Sequence, residues 1–349
     1  MAVLDAIVLP AFAPLEIAGL EIHLLEAVAA QRIAPTLIVY ASPEKTVSLG
    51  RYHLYSGAAQ RAGIGAARRL TGGRAIGAGD GWLSIALIVP RVGALLSERD
   101  AALKPDQVMN RYVRGLLAAL RSLGVDCFYP GRDAITSDHR ELAACSFEVA
   151  ASGAMLFEAA LAVNRGMEEL IHDLDRLDPA GGVSCPMYGP ENATNLARIL
   201  GRDIGFAEIA RAIIAGYGGL ADSVCERTLE PEERAHATRR AEGLTAGRWL
   251  RLAANPQSFN RSNRIAAQLG AVEVRLDVAD NFTIERLMLT GDFVANSPGV
   301  AELEHRLAGA TLDLPSVTRA VIDTYGGGRN FILGLGALDN LIQLIAEAA

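Results

Sequence analysis

The spacing of apolar residues changes along this chain between a two-residue and a 3.6-residue period, with no repeating unit. That irregular order restricts the fold more than any other feature. Leu15, Ile17, Leu20, Ile22, Leu25 and Val28 recur at near-helical spacing in residues 14–32, and the β-branched run TLIVYAS (36–42) reads as a strand. TVSLGRYHLYSG (46–57) reads as a strand entering a glycine-marked turn, and WLSIALIVP (82–90) as a buried strand. Val108, Tyr112, Leu116 and Leu120 lie on one stripe of a helix over 104–123. DAITSD and residues 142–163 predict paired strands turned at Ser152-Gly153, and helices are predicted near 165–175, 190–199, 205–217 and 230–243. Further on come a hairpin (271–293), helices near 299–308 and 314–324, and a last helix, ALDNLIQLIAEA. Strands and helices mixed without βαβ alternation predict an α+β fold.

A length of 349 residues exceeds the roughly 100–200 of one domain and predicts two. Asn255-Pro256 and the polar tract QSFNRSNR (257–264) mark the boundary, giving domains of 1–255 and 265–349. A net charge of −7 argues against a broad nucleic-acid grip, which needs a basic surface. The four cysteines, Cys127, Cys145, Cys185 and Cys225, form no CxxC pair, so neither a zinc ribbon nor a thioredoxin-like site is expected. The first twenty residues lack a basic n-region and carry Asp5 and Glu16, which makes a poor signal peptide. No apolar run reaches a spanning length, so a soluble, cytoplasmic protein without membrane contact is expected.

RRLTGGRAI (68–76) is the densest chemical signal. Its glycines permit backbone amides to approach an anion, and its arginines offer forked, permanently charged donors. Phosphate binding and a basic surface turn are both consistent with the spacing. Gly63-Ile64-Gly65 lacks the third glycine of a dinucleotide fingerprint, and no GxxxxGK[ST] is present. Gly326-Gly327-Gly328-Arg329 is read as a hinge rather than an anion site. The six histidines show no metal-ligand spacing.

The order of motifs resembles the lipoate–protein ligase A family, within the wider biotin/lipoate ligase group, in its two-domain form. VSLGRYHLY (47–55) looks like the family's strand into the active site, and RRLTGGRAI resembles its RRxTGGxAV loop. GRDAITSDHRELAACSFE (131–148) is similar to GRNDLVVDGRKxxGSAxRE, and SGAMLFEAAL (152–161) falls where the family has HGTLLLN. NATNLARIL (192–200) and TLEPEERAHATRRAEGLTAGRWL (228–250) resemble its helical closing segments, and residues 275–309 resemble its accessory domain.

The resemblance implies a mixed sheet flanked by helices, like that of biotin ligases and class II aminoacyl-tRNA synthetases, with a small α+β accessory domain. It also implies that lipoate or octanoate reacts with ATP, with Mg2+, to give an acyl-adenylate. The acyl group then passes to a lysine of a lipoyl-domain acceptor, a dehydrogenase-complex E2 or a glycine-cleavage H-like protein. Arg69 matches the arginine that meets the nucleotide, and Thr71, Gly72, Gly73, Arg74, Ala75, Ile76 and Gly77 match the substrate and ATP loop. Three positions depart from the pattern. Glu141 stands at the family's lysine, Ala78-Gly79-Asp80 replaces an HD pair, and Ser152-Gly153 replaces HG. A carboxylate facing the phosphate would repel it, so Glu141→Lys is expected to raise adenylation. Two alternatives accompany this reading. Cys127 lies about where one octanoyltransferase class carries its nucleophile, giving ATP-independent transfer. A non-catalytic homologue that binds a lipoyl domain or an adenylate is the other.

Overall fold

The structure, a computed structural model, describes residues 3–53, 64–95, 103–167, 169, 190–245 and 258–348. Most of the helix expected near 165–175, together with Cys185 and Trp249, lies outside the described residues. The centre is a seven-stranded sheet in the order β10-β1-β2-β6-β9-β8-β7. Its strands are β1 (Val3–Leu9), β2 (Thr36–Tyr40), β6 (Trp82–Val89), β7 (Ala134–Ser137), β8 (Arg140–Val149), β9 (Met155–Ala162) and β10 (Ser223–Glu226). β1 runs parallel to β10 and β2, and the remaining neighbours are antiparallel.

Alternation along each strand divides the core between two helical layers. Ile38, Ala86 and Ile88 face α1 (Pro14–Ala29) and α5 (Pro231–Thr245) with Leu20, Leu24 and Ala237. Leu37, Val39, Ile85 and Leu87 face α2 (Pro105–Ser122) and α4 (Phe206–Gly218) with Tyr112, Leu116 and Ile213. Burial on both faces explains why WLSIALIVP is continuously apolar rather than alternating. The segment expected as a helix over 190–199 is a 3-10 turn (Pro190–Asn192) followed by a short α3 (Leu196–Leu200) capped by the Asn195 side chain.

A small sheet, β4-β3-β5, lies beside the large one, with β3 (Thr46–Leu49) between β4 (Gly65–Arg68) and β5 (Ile76–Ala78). Val47, Leu49 and Ile76 pack on Trp82, Ala144 and Ala160 of the large sheet. The loop joining β4 to β5 is therefore held above the large sheet.

The C-terminal unit is a three-stranded antiparallel sheet of β11 (Arg261–Ala266), β12 (Ala271–Val278) and β13 (Ile284–Gly291). It is covered by α6 (Ser297–Leu307), α7 (Leu314–Tyr325) and α8 (Leu338–Ala346), with Val272, Val274, Leu303, Val321 and Leu341 buried between. β11 begins inside the tract read as linker, because its polar residues alternate between exposed and half-buried along a sheet edge. β14 (Val294–Ala295) and β15 (Ile332–Leu333) form a short pair. β15 separates the triglycine from α8, so Gly326–Gly328 does not open that helix. The unit docks on β8: Phe331 stacks on Phe147 at 4.8 Å, Phe293 on Tyr52 at 4.6 Å, and buried His53 Nδ1 lies 3.0 Å from Asp292 Oδ1. Among the described residues no helix is long and apolar enough to cross a membrane.

Candidate active site

The loop from Arg68 to Ile76 is folded around its own guanidinium groups. Arg68, 1% exposed, donates through Nη1 to the carbonyls of Gly50 (2.7 Å), Arg51 (3.0 Å) and His53 (2.6 Å). Burial, with Arg69 and Arg51 close by, lowers its pKa to about 9. Arg69 donates to the carbonyls of Ser48 (2.9 Å), Gly72 (2.8 Å) and Arg74 (2.6 Å). The backbone amides are engaged as well. The Thr71 amide donates to Glu158 Oε2 at 3.1 Å, and the Gly73 amide to the Phe293 carbonyl of the C-terminal unit at 2.6 Å. Ser146 Oγ donates to the Gly72 carbonyl at 2.9 Å.

The two glycines are required by close approach. A Cβ on Gly72 would lie 2.3 Å from the Phe293 carbonyl oxygen, and Gly73 has φ +89°. Ala75 and Ile76 are buried on the small sheet, and Gly77 lies flat against the Trp82 indole. The loop is thus a densely hydrogen-bonded turn clamped between the large sheet and the C-terminal unit.

Arg74 differs from the other two arginines, because its guanidinium meets side chains. Nε lies 2.5 Å from Asp133 Oδ2 and Nη2 lies 2.7 Å from Glu141 Oε1, with all three residues buried. Read from alignment, Glu141 would oppose a phosphate. In the fold its carboxylate turns to the Arg74 guanidinium of the loop instead. Arg74 and Asp133 line a small cavity with Arg69, Cys145, Ser146 and Glu158.

A second small cavity adjoins it and shares Tyr40, Ser48, Arg69, Ser84 and Glu158. Glu21 of α1 faces it, and Tyr40 Oη lies 3.5 Å from Glu21 Oε1. Burial, reinforced by their mutual repulsion, raises the pKa of Glu21 well above the carboxylate range, and burial raises that of Glu158. The sequence reading missed Asp133, Glu21 and Glu158. The available signal was a lone acid inside an apolar run, as in MLFEAALA.

Cys127 is buried at 3% exposure, its Sγ 3.9 Å from the Leu117 carbonyl. Burial raises its pKa, the opposite of what a thiolate nucleophile needs. Cys145 is buried too, and its thiol is likewise pushed up. Asp80, in the place of the HD pair, forms an exposed ion pair with Arg165 at 3.2 Å. Ser152 lies exposed at the β8–β9 turn, against a groove considered below.

The site is thus a mixed sheet between two helical layers, with an arginine- and glycine-rich loop packed across it. Over its full length the chain is similar to LipL1 of P. falciparum, solved in complex with lipoate. The TM-score is 0.71 at 12% identity, covering 99% of this chain and 100% of that one. A lipoate-protein ligase A bound with ATP matches with a TM-score of 0.54 at 18% identity, covering 71% and 98%. A bi-partite lipoate protein ligase from Thermoplasma acidophilum, studied with its E2 lipoyl domain, matches with a TM-score of 0.53 at 17% identity, covering 72% and 98%. No curated protein matches. The lipoyl protein ligase A/B catalytic domain family matches residues 13–218, and the chain belongs to that family.

Proposed function

We propose that this protein is an acyl–protein ligase that joins a lipoyl-type acyl group, as its adenylate, to a lysine of a lipoyl-domain acceptor. The observation that carries this reading is the Arg74 guanidinium, fixed by Asp133 and Glu141 at the wall of the cavity. A rigid cation there meets the negative charge that grows on the acyl oxygen and α-phosphate during adenylation. Arg74 is the proposed catalytic cation, and Glu141 is a positioning residue that sets its orientation. In the reaction the acyl carboxylate oxygen attacks the α-phosphate and pyrophosphate leaves. The neutral lysine amine then attacks the acyl carbon of this mixed anhydride, its proton passes to solvent, an amide forms, and the acyl C–O bond breaks with its electron pair leaving on AMP.

Mg2+ has a poor seat at this point. Among the described residues no group of three or more acidic, histidine or cysteine ligands converges, and Asp133 and Glu141 are both tied to Arg74. No step is assigned to the ion. A second reading rests on the same cluster, in which two carboxylates face one guanidinium: a binding protein for the acyl group or acceptor that does not adenylate. Incubating an apo lipoyl domain with the protein and octanoate or lipoate, followed by mass spectrometry, separates these readings. The ligase gives an acyl mass shift that requires ATP and survives Cys127→Ser. A shift without ATP that Cys127→Ser abolishes would contradict it, and no shift at all supports the binding protein.

A further inference from the structure

Between α1 and the β8–β9 turn runs an open groove. Ile22, Leu25 and Ala29 of α1, Leu70 of the arginine-rich loop and Ala150 make its wall apolar. At the end next to the C-terminal unit stands Glu148 of β8, only 2% exposed. Its Oε1 accepts two hydrogen bonds from Ser297, one from the amide and one from Oγ, each 2.7 Å. Its Oε2 is buried and has no hydrogen-bond partner. Burial raises this carboxyl to about 7, with Arg51 the largest opposing influence.

The other charges around the groove do not satisfy Oε2. Arg51, half-buried on the rim, directs Nη1 to the Leu70 carbonyl at 3.3 Å. Exposed Glu26 is paired with Arg240 at 2.7 Å. An acceptor sealed at the end of an apolar wall calls for a donor carried on an aliphatic stem. A primary ammonium supplies three donors and no acceptor. A carboxylate would meet Glu148 as a like charge, and a plain alkyl terminus would leave Oε2 unmatched.

We propose that this groove binds an aliphatic chain ending in a primary amine, with its methylenes along Ile22, Leu25 and Leu70 and its nitrogen on Glu148. Such a chain comes either as a free alkylamine or as the side chain of a protein-borne lysine. The proposal concerns binding alone and stands apart from adenylation.

Calorimetric titration of the full chain at pH 8 with n-hexylamine, 1-hexanol and hexanoate tests it. Hexylamine is expected to bind about tenfold or more tightly than either of the others. Glu148→Gln should bring hexylamine to the level of hexanol. Ala30→Trp, at an exposed residue on the rim, should weaken all three without touching the carboxyl. Tighter binding of Nα-acetyl-lysine methylamide than of hexylamine assigns the groove to a protein-borne lysine, and weaker binding assigns it to a free amine. Hexanoate binding best would hand the groove to Arg51 and overturn the proposal. Hexylamine failing to bind, or binding equally well to both variants, would also overturn it.

Discussion

Glu141 and Arg74 illustrate how a buried charge governs its neighbours. Either residue alone in this setting would be expensive to bury, and each is tolerated because the other lies 2.7 Å away. Glu141→Lys therefore places an ammonium against a guanidinium and frees Asp133 to compete for both. It is expected to destabilise the fold by about 3–5 kcal/mol, the usual cost of breaking a buried pair. Adding Arg74→Gly removes the guanidinium that the new ammonium would face and leaves Asp133 to pair with it. The double variant should recover a large part of that loss. Urea denaturation of the two single variants and the double variant measures the coupling, and additive losses would show that the residues do not act as a pair. The sequence revealed both residues but not their partnership, since 67 positions separate them along the chain.

Among the elements, β8 carries the most consequential polar contacts, because it passes from the loop to the C-terminal unit. Glu148 on β8 and Glu304 on α6 are both held at about 7 by burial. Carboxyls raised in the fold favour the protonated form, so their contribution to stability is complete below the unfolded value near 4.5. It is lost as pH rises through about 7, by roughly 3 kcal/mol each at most. Glu233 and Glu302 are lowered by arginine partners and act only below that window. Chemical denaturation is expected to show greater stability at pH 5 than at pH 8, with Glu148→Gln flattening part of the slope. A flat profile in the wild type would contradict this.

Legibility in the sequence also differed by element. α2, β6 and the β12–β13 hairpin announced themselves through apolar periodicity. β10 did not, because an exposed four-residue edge strand carries almost no apolar signal. β11 is hidden for a related reason, since its first four side chains are polar and none of the six is fully buried. β1, by contrast, is strongly apolar. It lies in a segment weighed only as a targeting signal.

For the whole molecule, the docking of the two units is the feature that local sequence could not express. The glycines of the loop suggested an anion seat. In the fold Gly72 accommodates the approach of Phe293, and the Gly73 amide is bonded to its carbonyl. The large sheet and its two helical layers bury most of their core between themselves, with Leu269, Val294 and Phe331 of the C-terminal unit added to it, and we propose that a chain ending at Pro256 folds alone. It would expose Tyr52 and Phe147, now covered by Phe293 and Phe331, so its denaturation midpoint should fall below that of the full chain. Circular dichroism decides this, and an unfolded fragment would place the boundary elsewhere.

We propose that the positive charge of the site is held by Arg74 rather than by a lysine on β8. ATP–pyrophosphate exchange with octanoate or lipoate measures the adenylation step directly. The wild type should exchange. Arg74→Met paired with Glu141→Gln, both introduced in an Asp133→Asn background so that no carboxylate is left facing an apolar chain, should abolish exchange while the protein remains folded by circular dichroism. Exchange that persists in the folded triple variant, or a wild type that fails to exchange with either acid, would contradict the account.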